Sequence, residues 1–510
     1  MKKKICILLV LAFIISLAAC NKKVDSPAST SGSTPASDPV AITIAFELMA
    51  NSLDVLAEDS THNISIAYHI FHRLVEFDTE YEWHPGIAKS WERIDNLTWE
   101  FDINLEDYVF QNGDPLTMDD IVFSILRLKD VPKTADNGAL IESVTYEGTK
   151  LRIKMVAESN TTLPRVLSTA VIVNKAYIEA NGESAINLNP IGTGPYKVTQ
   201  FTPGTSLTIE TWDGYRLEKP QIDSLTFIAI ADLSARYIAV ETGQIQYAGW
   251  LSSLEYDLAV EKDGVSAISL PSKMVNCLSF NCERPPFDNV NVRKALSYAV
   301  DRATFCTLLG GRVPVESMLF GGWDMYVASP NLPEYDLEKA KAMLAEEGFD
   351  ESNPLSFELF TYQPNEPGLQ FYQSTLKSIG VDVSITIAEF SVYIDREGRG
   401  DFDVIWTSQV PRGGTPLMDL DRFDYAMVGV RNGSRYNNPR VQEIIARMRI
   451  TNDDQEMKDL NVEINEILAD EVPMYPVYLI PIFSATDSRL DGVVIGGERL
   501  QLFNKATFKD

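Results

Sequence analysis

The chain has 510 residues, 45% of them apolar, and carries a formal charge of −28 from 44 basic against 72 acidic side chains. That length exceeds what one hydrophobic core serves and predicts two or three domains. The charge disfavours nucleic acid and anionic lipid headgroups as partners, because so acidic a body should repel both.

Lys2, Lys3 and Lys4 precede an apolar run from Ile5 to Leu17, too short for a permanent membrane-spanning helix, and Ala18-Ala19-Cys20 follows. A basic start, a short apolar run and small residues before a cysteine form the pattern of a bacterial lipoprotein signal over residues 1–19. Such a signal is cut before a lipid-bearing cysteine. The expectation is a mature protein held by acyl chains on Cys20 at the extracytoplasmic face of the cell membrane, periplasmic or cell-surface. An ordinary secretory signal with an incidental cysteine is the alternative. Residues 21–39 are dominated by Ser, Thr, Pro and small side chains. They have too little to bury to offset their ordering entropy, so residues 20–39 are expected to form a flexible tether reaching at most ~65 Å. No later stretch reads as a transmembrane helix.

Short strands and amphipathic helices alternate irregularly after that, which predicts an α/β fold. Ala41 to Glu47 reads as a strand and Ser65 to Val75 as a helix with Ile66, Ile70 and Leu74 on one stripe. Thr117 is a natural N-cap, with Asp120 at the third helical position and Leu116 set to staple onto Ile121. Ile121, Val122, Ile125 and Leu126 would be the buried stripe. Leu225 to Ile230 reads as a buried strand and Met274 to Cys282 as another. A long helix is predicted from about Asp288 through Leu309, ended by Gly310-Gly311. Asp401 to Thr407 reads as a strand. Asn438-Pro439 starts a helix carrying Val441, Ile444, Ile445 and Met448, and a further helix carries Leu460, Ile464, Ile467 and Leu468 before Pro473. Cys277 and Cys282 are five apart on a strand and point to opposite faces, so they are poorly placed to bridge. With Cys306 they are expected to be buried free thiols.

Several stretches carry a family resemblance, in order and over nearly the whole mature chain. They are Ser52-Leu53-Asp54, Pro85-Gly86-Ile87-Ala88-Lys89-Ser90-Trp91-Glu92, Gly113 to Ser124 (GDPLTMDDIVFS), Gly192-Thr193-Gly194-Pro195-Tyr196 and Asn281 to Asp301 (NCERPPFDNVNVRKALSYAVD). With them the chain resembles the bacterial family 5 solute-binding proteins, which serve ABC importers for oligopeptides, dipeptides and nickel. The resemblance implies a periplasmic-binding-protein fold of type II, with two lobes about a hinge and an extra domain inserted in the first. Lobe I would take residues 40–61, 186–275 and 488–510, the inserted domain 62–185, and lobe II 276–487. It also implies capture without chemistry, with a peptide or small solute as ligand, ABC permease transmembrane subunits as partners, a monomeric state and no cofactor.

In peptide-binding relatives an aromatic followed by Ala-Asp-Tyr lies in the cleft, and its Asp pairs with the ligand's α-amino group. The matching stretch here is Trp406 to Gly414, in which Trp406 matches the aromatic and Gln409 falls on the Asp position. A neutral amide cannot make the charge-assisted bond that a buried ammonium needs. Arg412 adds a positive charge better suited to an anion. Gln409 and Arg412 then mark a changed ligand class, such as an acidic or non-peptide solute, with Gly413 and Gly414 of the same stretch as further ligand-binding candidates. Alternatively Arg412 is a surface loop residue, and Asp419 or Asp421 supplies the carboxylate. The segment Glu47-Leu48-Met49-Ala50-Asn51 also approaches the ligand in relatives, which makes Glu47, Met49 and Asn51 candidates, with a core methionine the alternative for Met49.

All four histidines fall between residues 62 and 84. His62, His69 and His72 share one helix face if the helix starts early, so a nickel or zinc site is conceivable. No carboxylate or cysteine stands at a diagnostic spacing, so no metal site is assigned. Ser374-Thr375-Leu376-Lys377 matches S-x-x-K but lacks the companion elements of serine acyl-enzymes. The chain therefore reads as a non-enzyme: a substrate-binding lipoprotein for peptide transport, with a nickel complex, another small anionic solute or a sensing role as alternatives.

Overall fold

The structure is a computed structural model that describes residues 39–510 apart from 59, 79–82, 159–161, 320–327, 330, 363–366, 410–419, 452, 497–499 and 510. The leader, Cys20, the tether, Arg412, Gly413, Gly414 and Asp419 lie outside the described residues.

Ten strands build the main sheet. They are β1 (Ala41–Phe46), β2 (Tyr196–Thr202), β3 (Ser206–Thr211), β4 (Ser224–Ala229), β5 (Tyr247–Leu251), β6 (Val265–Phe280), β7 (Ser356–Thr361), β8 (Asp382–Ile387), β9 (Val404–Gln409) and β10 (Met474–Asp487). Their spatial order is β8-β7-β9-β6-β10-β5-β1-β4-β3-β2, with the short Val313–Pro314 strand added to β10. Two of them are unusually long. β6 and β10 run antiparallel from Val265↔Asp487 to Ser279↔Met474, and their register shifts between Pro271 and Val275 and between Asn276 and Cys277. On one side of these shifts β10 pairs with β5, Tyr247 opposite Thr486. On the other side β6 pairs with β9, Val275 opposite Gln409.

The chemistry of the crossing is local. Pro271 faces Pro481, and neither has an N–H to give the ladder. The Ser272 hydroxyl donates instead to the Ile480 carbonyl. Two facing prolines and a bulge make this the weakest-bonded point of the two long strands. Apolar packing divides at the same place. One large cluster gathers Ile44, Phe46, Phe101, Ile125 and Leu225, a second gathers Leu278, Leu296, Phe305, Trp406 and Ile444, and a smaller one holds Ala45, Tyr237 and Phe483.

A separate antiparallel sheet of four strands, in the order Ala88–Arg93, Thr98–Ile103, Lys150–Met155 and Ile141–Glu147, lies between β1 and β2 in the chain. The motif at Gly192 to Gly194 packs against the end of the helix Thr61–Ile70. A Cβ on Gly192 would sit 2.1 Å from the Ile70 carbonyl oxygen, and one on Gly194 would sit 2.6 Å from that of His69. Gln111 locks the joint, with its amide nitrogen donating to the carbonyls of Ile70 (2.9 Å) and Tyr196 (2.7 Å) and its oxygen accepting from Gly192 N–H (2.9 Å). Arg293, from the last motif, is buried and ties its helix to the carbonyls of Glu471 and Phe287.

Local signals in the sequence are met closely. Met118–Leu126 is helical, with Thr117 and Asp120 forming a reciprocal capping box. Pro439–Met448 is helical behind the Asn438 cap, and its four predicted apolar residues are buried. Three readings change. The first helix is Thr61–Ile70, capped by Ser60, and Leu74 lies beyond its extended end at Phe71. The long helix divides into Val290–Tyr298 and Arg302–Leu309, because Asp301 caps a new start through Thr304 N–H. Val122 and Leu126 are half-buried, and Met118 and Ser124 take the inner face beside Ile121 and Ile125. The three cysteines are free, with Cys277 buried and Cys282 and Cys306 half-buried.

Candidate functional site

Strand polarity locates the site. β10 leaves the crossing toward Asp487, and β5 is antiparallel to it, so β5 runs toward the crossing. β1 and β4 are parallel to β5 and to each other in turn and end on the same side. Beyond the crossing β6 runs away, so antiparallel β9 and its parallel neighbours β7 and β8 end facing back. Six strand C-termini therefore converge on the Pro271–Pro481 crossing from two sides. Ligands of open α/β sheets bind at such strand ends.

On the first side, the ends of β4 and β5 are fixed by one buried side chain. Arg236 donates to the carbonyls of Ile230 (2.9 Å), Ala231 (3.2 Å) and Gly249 (2.7 Å). Burial lowers its pKa, against the carboxylates of Glu47, Glu255 and Asp232. Next to it Trp250 takes the left-handed conformation at φ 54° and stacks on Phe46 with centroids 5.7 Å apart. Glu47, at the β1 terminus, is exposed, as is Asn51, whose N–H donates to Glu58 Oε2 at 2.9 Å. Met49 is buried in the first core.

On the second side, Trp406 is fully buried, stacked on Phe305 at 5.6 Å. Ser408, one residue short of the strand end, donates to Asn276 Oδ1, and Asn276 Nδ2 donates to the Tyr478 hydroxyl at 2.7 Å. That network links β9, β6 and β10, with Asn276 and Tyr478 buried. Gln409 is half-buried at the strand end, and its Oε1 accepts from Arg422 Nε at 3.1 Å. Asp421, the sequence's alternative carboxylate, is bonded to Arg449 at 2.6 Å, and Asp424 is held by the same guanidinium. Tyr362, just past β7, and the exposed Phe390, just past β8, meet edge to face at 5.1 Å and form an aromatic wall. Of the candidates read from sequence, the strand ends bring Glu47 and Gln409 to the crossing, while Met49 and Trp406 lie inside cores. Arg236, Arg422, Asn276, Tyr478, Tyr362 and Phe390 carried no sequence motif. The rule that strand ends carry sites would have found Tyr362 and Phe390; the two arginines follow only from tertiary placement.

The histidines are occupied. His69 is buried, its Nδ1 bonds the Ser65 carbonyl (2.8 Å), and its Nε2 accepts from Phe503 N–H (3.0 Å). His72 bonds Glu76 and Tyr215 through its two nitrogens. His62 is buried against Phe46 and Trp250. Among the described residues no group of three His, Cys, Asp or Glu could hold a metal ion. Burial pushes the Cys282 and Cys306 thiols up to about 11, so neither is a nucleophile at neutral pH.

Residues 82–427 match the family described as bacterial extracellular solute-binding proteins, family 5 middle. The chain is 25% identical to the dipeptide-binding protein of Escherichia coli K12 over 89% of its own length and 94% of the relative's. It is 24% identical to the nickel-binding protein NikA of Staphylococcus aureus, over 83% and 85%. Among solved structures, the ABC transporter substrate-binding protein CtaP of Listeria monocytogenes superposes with a TM-score of 0.82 at 21% identity, covering 93% of this chain and 100% of that one. A dipeptide-binding protein from Pseudoalteromonas sp. SM9913, in complex with Met-Leu, gives 0.79 at 20% identity over 92% and 100%. The fold is the type II periplasmic-binding-protein fold.

Proposed function

Because the chain belongs to the bacterial extracellular solute-binding proteins of family 5, which bind and do not catalyse, we propose that it captures peptides between two closing lobes and delivers them to the permease of an ABC importer. The observation that carries this reading is the convergence of six strand ends on a crossing made of two strands and two facing prolines. The lobe boundaries we assign run through Pro271–Val275 on β6 and, in place of the 487/488 boundary expected from the sequence, through Leu479–Pro481 on β10, because β10 from Phe483 to Thr486 pairs with β5 of the first lobe. The four-stranded sheet is the inserted domain. A ligand touching both rims gains its second set of contacts only when the lobes approach, so binding shifts the population toward the closed form. The names of the relatives, dipeptide- and glutathione-binding proteins among them, support a peptide or peptide-like cargo. Both nitrogens of His69 and of His72 are already engaged, which weighs against a nickel complex held by this helix.

Thermal unfolding against di- to pentapeptides, anionic solutes and nickel with free histidine tests the cargo. A peptide at a hundred times its dissociation constant should add about 2.7 kcal/mol of stability. A response to nickel alone would overturn the peptide reading.

We further propose that Cys20 carries the lipid and that residues 21–39 are the tether. No described helix is long and apolar enough to cross a membrane, so anchoring would fall to the acyl chains. Cys20→Ser should move the protein from the membrane fraction to the soluble fraction with its fold intact. Unchanged membrane retention would remove Cys20 from the reading.

A further inference from the structure

The last strand of a sheet presents unpaired N–H and C=O groups that template a further strand, and native folds blunt such edges with bulges and charges. Three of the four strands that end the two large sheets are blunted in this way. β2 has a register shift between Val198 and Gln200 and the exposed Lys197. Ala88–Arg93 shifts between Ala88 and Ser90 and carries exposed Lys89 and Glu92. Ile141–Glu147 shifts between Ile141 and Ser143 and carries exposed Glu142 and Glu147. The fourth, β8, has no such guard. It follows β7 in unbroken parallel register from Ser356↔Asp382 to Thr361↔Ile387, and its one charged side chain is Asp382, at its first position. Among the described residues no strand pairs with its outer side.

The outward groups are fixed by the inward ones. Asp382 N–H donates to the Leu355 carbonyl at 2.8 Å and Ala388 N–H to the Thr361 carbonyl at 2.9 Å. Residues 382, 384 and 386 therefore bond toward β7, and Val383, Ile385 and Ile387 turn their N–H and C=O groups outward. The Val383 carbonyl accepts from Gln373 Nε2 at 2.7 Å, the only side-chain hydrogen bond these outward groups receive among the described residues. Ile387 is exposed, and so are Phe390, Val392 and Ile394 directly after the strand. An open edge followed by four exposed apolar side chains is an association surface.

We infer that β8 pairs with β8 of a second copy of this chain, antiparallel about a two-fold axis at Ile385, so that two main sheets become one. This register uses all three outward residues, with Ile385 opposite Ile385 and Val383 opposite Ile387. Apolar β-branched side chains then meet on one face, and Ser384 meets Thr386 on the other. Asp382 falls opposite Ala388, so no like charges oppose each other. The edge is thus complementary to itself, as a two-fold interface requires. Charge selects the same place. The chain as a whole carries −28 and repels its own copies, but around β8 Lys377, Arg396 and Arg399 nearly balance Asp382, Glu389, Asp395 and Glu397. The pairing departs from the monomeric state that the family resemblance implies.

Sedimentation velocity of residues 21–510 from about 1 to about 200 μM should show a monomer–dimer equilibrium with a dissociation constant on the order of tens of micromolar, as befits a small interface. Ile387→Lys, at an exposed position, should weaken association at least about tenfold and leave the unfolding temperature unchanged. Ile387→Pro removes one outward N–H without touching the β7 ladder and should act likewise. Ile385→Cys should form an interchain disulfide on mild oxidation, because a hydrogen-bonded antiparallel pair holds its Cα atoms about 5.5 Å apart. Thr199→Cys, exposed on the blunted β2, should not. A parent that stays monomeric at every concentration would overturn the inference and leave the edge to a strand of another protein. Dimers that survive both substitutions at residue 387, or cross-linking through Thr199→Cys as fast as through Ile385→Cys, would overturn it as well.

Discussion

Replacing Asp54 by Ala should cost about 3–5 kcal/mol of stability, one of the largest losses expected of any single change in this chain. Asp54 and Arg127 are 2% and 4% exposed, and the two guanidinium NH groups of Arg127 meet the two oxygens of Asp54. Asp54 Oδ1 also accepts from Leu56 N–H, at 3.1 Å. The pair ties the Ser52-Leu53-Asp54 turn to the residue that caps the Met118–Leu126 helix. Losing the carboxylate leaves a guanidinium buried with only Glu183, whose side chain is 60% exposed, and a half-solvated partner compensates little. The double change Asp54→Leu, Arg127→Met should recover most of the loss, because an apolar pair of similar volume removes the stranded charge. Chemical unfolding of the four proteins of that cycle measures the coupling. A single substitution costing under 1 kcal/mol would show that the pair is not a fastener of the fold.

This role explains why the fold was far more legible in the sequence than the site. The motifs that carry the family resemblance are mostly joints. Asp54 meets Arg127, Gly192 and Gly194 admit the end of the first helix, and Arg293 bonds the carbonyl of Glu471. Local chemistry was equally readable: Thr117 with Asp120, and Asn438 with Pro439, lie within three residues of what they stabilise. The one long helix read as continuous failed on the same kind of signal, because Asp301 can cap as well as any Asp and the apolar stripe runs through it. The site depends on distance instead. Arg422 is thirteen residues from Gln409 across a glycine-rich stretch, Tyr478 is 202 residues from its Asn276 donor, and neither spacing has a periodicity to read. Trp406 shows the limit from the other side. Its match to a cleft aromatic was legible, yet its ring stacks inside the second core.

Acidification should release the C-terminal segment, and His69 is the reason. Its ring is fully buried, with Nδ1–H donated to the Ser65 carbonyl, and only an unprotonated Nε2 can accept from Phe503 N–H. Protonation would set two donors against each other there. Burial accordingly holds the imidazole at about 4, with bonds to the Ser65 and Ile66 backbone acting weakly the other way. In the unfolded chain it titrates near its ordinary value of ~6.5. The folded pKa is the lower one, so its contribution is complete above ~6.5 and falls as pH drops toward 4. Linkage puts the loss at about 2 kcal/mol by pH 5 and about 3 kcal/mol once both states are protonated. Phe503 packs edge to face on Tyr247 at 5.1 Å, so the segment leaving the helix also uncovers the core beneath β5. Glu397, pushed up to about 7 by burial, titrates in the opposite sense and gains stability for the fold as pH falls, so parent and variant must be compared at each pH. His69→Asn should be less stable than the parent at pH 7 and should lose markedly less between pH 7 and pH 5. At pH 5 the parent should become sensitive to protease between residues 500 and 508 before global unfolding. Equal pH slopes for parent and variant would mean that His69 does not hold the C-terminus.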